Sequence, residues 1–125
     1  MPRVDRLALG STAEDAACAW ALARGWTLLA RNVRYRFGEL DLVLRDGATV
    51  VFVEVRRRRA SRFGDGAASV DRGKRRRVIL AARAWLAGRP RYAEAPCRFD
   101  VASVSGADEA LAIEWLVAAF DAGDG

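Results

Sequence analysis

The sequence predicts a single α/β domain, with a mixed sheet of about five strands flanked by helices. The expected order is helix, three strands, helix, two strands. Three observations predict it. A chain of 125 residues suits one domain with one modest core. Two apolar runs between residues 38 and 56 flank an Asp-Gly pair, the pattern of a hairpin. Stretches with helical apolar spacing lie on either side of that hairpin.

Residues 1–10 read as a loose leader. Ser11-Thr-Ala-Glu14 has the form of a capping box, with Ser11 at the N-cap and Glu14 at the third helical position. The helix then runs to about Arg24, and Gly25 ends it. Ala13, Ala17, Trp20 and Ala21 form its buried stripe. Trp26 to Tyr35 reads as the first strand. Tyr35-Arg36-Phe37-Gly38 connects it to the hairpin. The aromatics there cover a sheet end, the alternative being that they stack on bases.

Asp46-Gly47 reads as a type I′ turn, which needs positive φ at both central residues. Leu40 then faces Val53, Leu42 faces Val51 and Leu44 faces Thr49, giving one apolar face. The other face carries Glu39, Asp41 and Val43 against Phe52, Glu54 and Arg56. In that register Glu39 stands opposite Glu54, and Asp41 is diagonal to Glu54. Like charges so placed destabilise a sheet unless something positive lies between them. Mg²⁺ is held by one or two carboxylates plus water and phosphate oxygens, and would resolve the conflict. The alternative is a solvated polar face.

Ser69 or Asp71 begins the second helix, which ends near Gly88 and Pro90. Lys74, Val78, Ala81 and Trp85 share the stripe that faces the sheet, while Arg72, Arg76 and Arg83 lie on another face. At the start of that stripe Lys74 either snorkels to water or aims its ammonium at phosphate. Cys97 to Val104 alternates as a strand, Ser105-Gly106-Ala107-Asp108 turns, and Leu111 to Val117 is a last strand or short edge element. Residues 121–125 read as a frayed tail.

The net charge is +5 and the sequence pI is about 10.2, a balance that suits a polyanion. The charge is local. Arg56 to Arg77 holds ten basic residues against Asp65 and Asp71, so this segment carries +8 and the rest of the chain −3. Arg57, Arg58, Arg59, Arg72, Lys74, Arg75 and Arg76 are the candidate phosphate contacts. Phe63-Gly64-Asp65-Gly66-Ala67-Ala68 reads as a mobile loop between the two clusters. With no histidine and two cysteines, Ser-His triads, histidine bases and zinc-cysteine sites are excluded. Hydrolysis would have to use carboxylates, basic groups and a metal. No apolar run is long enough to cross a bilayer and no signal peptide opens the chain, so a cytoplasmic protein without a membrane partner is expected.

Asp41, followed a strand later by Glu54-Val55-Arg56, resembles the PD-(D/E)xK nuclease pattern. Gly38-Glu39-Leu40-Asp41-Leu42, Val51-Phe52-Val53-Glu54-Val55, Asn32-Val33-Arg34, Val70 with Lys74, and Arg98-Phe99-Asp100-Val101 together resemble the YraN family. These small bacterial proteins are predicted nucleases related to the archaeal Holliday-junction resolvases. The likeness runs from about Glu14 to Phe120. It implies a restriction-endonuclease-like three-layer sandwich and a Mg²⁺-dependent endonuclease, with Mn²⁺ able to substitute. The implied substrate is DNA, branched or damaged, and a homodimer is compatible. Asp41, Glu54 and the Val55 carbonyl would hold the metal, Glu14 would complete the site, and Arg56 would stabilise charge. The pattern expects lysine where Arg56 stands, and arginine cannot serve as a base. A nucleic-acid-binding module without turnover and a basic-faced interaction domain are the alternatives.

Overall fold

A computed structural model describes residues 6–58, 70–106 and 110–124, with the backbone alone for residues 6–11 and for Asp124. Helix α1 (Arg6–Ala23) is followed by strands β1 (Thr27–Tyr35), β2 (Gly38–Asp46) and β3 (Thr49–Arg57). Helix α2 (Arg72–Ala87) then leads to β4 (Cys97–Ser105) and β5 (Ala112–Phe120). The five strands form one sheet in chain order, antiparallel except for β3 beside β4. A parallel neighbour needs a crossover, and α2 supplies it. The expected class and element order are those observed.

The helices cover opposite faces of the sheet. Ala17, Cys18 and Ala21 of α1 pack on Leu42, Leu44, Val51, Val53 and Ala102. Small side chains let this helix lie close to the sheet. Val78, Ile79, Ala81, Ala82 and Trp85 of α2 pack on Leu40, Val43, Val50, Phe52, Phe99 and Val101. The central strands are therefore apolar on both sides, as a strand buried between two layers must be. Asp71 caps α2, accepting a hydrogen bond from the Lys74 N–H at 2.8 Å, and Gly88 ends it. No helix among the described residues is long and apolar enough to cross a membrane.

Three expectations are corrected. Helix α1 begins at Arg6, so residues 6–10 are helical and Ser11 is not an N-cap. Glu14 thus lies well inside the helix, and the capping-box pattern had no cap to make. Gly10, which costs about 1 kcal/mol inside a helix, disguised the continuity. The hairpin register is also shifted by two residues. Leu42 pairs with Val53, Leu44 with Val51 and Asp46 with Thr49, leaving Gly47-Ala48 as the loop. Gly47 has φ +60° and Ala48 does not share the positive φ, so Gly47 is the first central residue, as in a type II′ turn, rather than the second of a type I′ turn. Finally, β5 extends to Phe120, beyond the expected Val117, and a 3₁₀ turn follows at Ala122–Asp124. The expected leader residues 1–5, the loop Phe63–Ala68, Ser69, Ala107 and Asp108 lie outside the described residues.

Gly38 ties the start of β2 to α2. A Cβ there would collide with the Arg77 carbonyl oxygen, so the chains touch backbone to backbone. Gly38→Ala should cost about 1–3 kcal/mol, the usual range for overpacking. Gly88→Ala, where φ is −87° and the added methyl meets only the Trp85 carbonyl at 3.8 Å, should stay near neutral. Denaturant unfolding of the two variants checks this, and equal stabilities would show that the Gly38 contact is not a constraint.

Candidate active site

The site forms where β2 and β3 part. Their ladder runs from Asp46↔Thr49 to Leu42↔Val53 and goes no further. At the next step the Val55 N–H donates not to a β2 carbonyl but to Asp41 Oδ2, at 2.8 Å. The alternation of β2 breaks at the same place. Leu42 faces α1, yet Leu40 packs with Val43 in the layer under α2. Across on β1, Asn32 sits between the residues that pair with Leu42 and Leu40 and has φ +52°. Asparagine is one of the few residues that tolerate this region, and such a residue re-aims the strand.

The corrected register brings Asp41, not Glu39, level with Glu54. Glu39 is exposed, whereas Asp41 is half-buried and Glu54 is 8 % exposed. Burial, first of all, lifts the Glu54 carboxyl to about 7; the Asp41 charge adds to the rise, and Lys74 and Arg56 oppose it. Burial also raises Asp41, against the Val55 N–H, with Glu14 and Glu39 raising it and Lys74 lowering it. Lys74 Nζ stands 3.5 Å from Glu54 Oε2. Helix α2 therefore delivers an amine to the carboxylate pair, and the first-turn cap at Asp71 fixes where that amine starts.

Glu14 approaches from the other layer. Its Oε1 lies 3.5 Å from Arg31 Nη2, which makes a shorter bond of 2.8 Å to Asp15. Its charge is felt at Asp41, so Glu14 borders the site without joining the pair. Arg56 follows Glu54 on the same side of β3, level with Ser103 of β4. Ser103 is 1 % exposed, and its Oγ has no hydrogen-bond partner among the described residues.

A hard divalent cation suits this donor set. Two carboxylates that repel each other, both held above their ordinary pKa, gain most from a shared positive charge. The Val55 N–H points into the β2–β3 gap, and in an extended strand the carbonyl of the same residue points to the same side. Among the described residues no group of three or more His, Cys, Asp or Glu side chains forms a protein-only cage. Two carboxylates, one carbonyl and water are nonetheless enough for Mg²⁺, which keeps part of its hydration shell.

The basic residues divide by setting. Arg57 Nη2 donates to the Gly106 carbonyl at 3.2 Å, and Arg58 Nη1 lies 3.4 Å from Glu114 Oε1. Arg75 Nε donates to the Val70 carbonyl at 2.9 Å. Arg72, Arg76 and Arg77 are exposed on α2. Arg59 lies outside the described residues. Spacing alone did not reveal that Lys74 meets Glu54; its place at the head of the apolar stripe of α2 was the available signal.

The sequence model of the uncharacterised protein family UPF0102 matches residues 13–104. A UPF0102 protein of Xanthomonas campestris pv. campestris is 53 % identical over 111 residues, covering 89 % of each chain. One from Nitrosomonas europaea is 49 % identical over 112 residues, covering 90 % of this chain and 92 % of its own. One from Pseudomonas paraeruginosa is 47 % identical over 115 residues, with the same coverage.

The carboxylate pair makes a prediction about pH. A carboxyl raised in the folded state stabilises below its ordinary pKa near 4.5, and that contribution is lost as pH rises through about 7. The double variant Asp41→Asn with Glu54→Gln should therefore gain stability relative to wild type across this window. The gain should be on the order of 2–3 kcal/mol at the upper end. Melting curves from pH 4.5 to 8 check it; parallel curves for the two proteins would show that the carboxylates are not in conflict.

Proposed function

The chain belongs to the uncharacterised protein family UPF0102, and from that premise and the site geometry we propose that it is a Mg²⁺-dependent endonuclease acting on DNA in the cytoplasm. The observation that carries the reading is the pairing of half-buried Asp41 with buried Glu54, with the Lys74 amine 3.5 Å from Glu54. Repulsion of this kind, kept at a strand break and bordered by Glu14, has no stabilising use in a structural domain. It suits a site that binds a hard cation. The exposed arginines of α2, which carries Lys74, favour a phosphodiester as substrate.

Asp41, Glu54 and the Val55 carbonyl would hold the metal, Mg²⁺ or Mn²⁺. When bound, such an ion acidifies a water molecule and neutralises phosphoryl oxygens. Arg56 contributes positive charge beside Glu54. Lys74 is different, because its compact amine on a flexible stem stands at the carboxylate pair and can hydrogen-bond and orient the attacking water there. Lys74 thus takes the part for which the nuclease pattern expects lysine at position 56. Arg72, Arg76 and Arg59 would meet backbone phosphates, as would Arg57, Arg58 and Arg75 where their other bonds allow.

The experiment is cleavage of single-stranded, duplex, flap and four-way DNA with Mg²⁺ or Mn²⁺. Lys74→Ala should lose about 10²-fold or more in rate, while Arg56→Lys stays within about tenfold of wild type. A large gain in Arg56→Lys with no loss in Lys74→Ala would assign the lysine role to position 56 instead. A wild type that binds DNA yet cuts none of these substrates would overturn the enzyme and leave a binding module. For binding itself, neutralising Arg72 and Arg76 should flatten the plot of log affinity against log salt by nearly two units, if each meets one phosphate. An unchanged slope would remove them from the interface.

A further inference from the structure

We propose that the pocket between the β1–β2 connection and α2 receives an unpaired nucleobase of the substrate, so that the site is served by strands that are single or splayed. The proposal rests on the nucleic-acid reading above and names the substrate class for it. The pocket has a volume of about 340 Å³ and is lined by Tyr35, Arg36, Phe37, Glu39, Lys74 and Arg77, among others. That lies at the lower end of the range for small-ligand sites, about 300–1,000 Å³.

The pocket's rings are arranged for stacking. Phe37 is 45 % exposed, so its ring is open to a partner. It is backed by Tyr35, with the ring planes parallel and the centroids 5.5 Å apart. That separation means an offset stack, which leaves part of each face uncovered for another flat ring. Tyr35 itself packs against the core under α2, so the platform is anchored on one side. The contact of Gly38 with the Arg77 carbonyl fixes its distance from the helix. The sheet-end covering expected of these aromatics therefore accounts for Tyr35 and not for Phe37.

Charge and position supply the rest. Arg36 and Arg77 are exposed cations at the pocket, placed to neutralise phosphates. Glu39 offers an acceptor to the amino edge of a base. Lys74 is shared: it lines the pocket and also pairs with Glu54. Lys74 thus links a nucleotide whose base lay on Phe37 to the carboxylate pair. A paired base inside a duplex hides its ring faces in the helical stack, so only an unpaired one can enter.

The test compares binding of oligothymidylate with binding of an abasic strand of equal length, both without metal so that no cleavage intervenes. The phosphates are the same and only the bases differ. Wild type should bind oligothymidylate about tenfold more tightly, the scale of one aromatic stack. Phe37→Ala should erase that gap while leaving the abasic affinity unchanged, and Phe37→Trp should keep it. A thermal melt establishes that the variants are folded, as expected for so exposed a ring. Equal wild-type affinities, or a gap that survives Phe37→Ala, would overturn the pocket and leave the nuclease reading standing. Failure of wild type to bind either strand at low salt would defeat the nucleic-acid reading, and the pocket with it.

Discussion

Two carboxylates buried at one break in a sheet are the constraint on which this structure turns. Each loses hydration on burial, and each raises the energy of the other's charge. The fold meets this with parts drawn from every layer. Asn32 re-aims β1, Asp41 takes the Val55 N–H that the ladder gives up, and α2 brings Lys74 to Glu54. These contacts offset the repulsion only in part, since both carboxyls stay above their ordinary pKa. This unresolved repulsion, beside a strongly basic helix, is the ground for proposing that the site takes a cation and a polyanion together.

A second buried carboxylate shows what a structural one looks like. Asp100 is fully buried on the α1 side of the sheet and accepts four hydrogen bonds: Arg98 Nε at 2.9 Å, Arg98 Nη2 at 3.0 Å, Trp115 Nε1 at 2.9 Å and Ala118 N–H at 2.9 Å. It holds the bulge at Ala118, which has φ +53°, and so joins β5 to β4. Trp115 in turn stacks on Trp20 of α1 with centroids 4.3 Å apart, and Trp26 meets both rings edge-on. Asp100 is satisfied by fixed donors and a guanidinium. Asp41 and Glu54, in contrast, both stay above their ordinary pKa.

Much of this was legible in the sequence because periodicity and caps are local. Asp41 and Glu54 were singled out by the family resemblance, whereas the element order, Asp71 as one of two candidate starts of α2, and the α2 stripe from Val78 to Trp85 follow from short-range patterns. The hairpin register did not. One glycine can be the second residue of a type I′ turn or the first of a type II′ turn, and the two choices differ by two residues. Because strand faces alternate with period two, that slip kept the faces of Leu42, Val43 and Leu44 and changed which carboxylate stands level with Glu54, while the break that turns Leu40 to the α2 side has no local signal. Glu14 was misread for a related reason, since a capping pattern inside a longer helix looks the same as one at its start. The meeting of Lys74 with Glu54 and the pocket beside Phe37 depend on how α2 docks, which no local pattern encodes.

We propose that Asp41 and Glu54 form one cation site. Its most direct measurement is Mn²⁺ binding followed by electron paramagnetic resonance, with wild type beside the Asp41→Asn, Glu54→Gln double variant and with Mg²⁺ as competitor. Wild type should bind one tight Mn²⁺ per chain, displaced by Mg²⁺ and absent from the variant. The same tight stoichiometry in both proteins, or no tight ion in wild type, would contradict it.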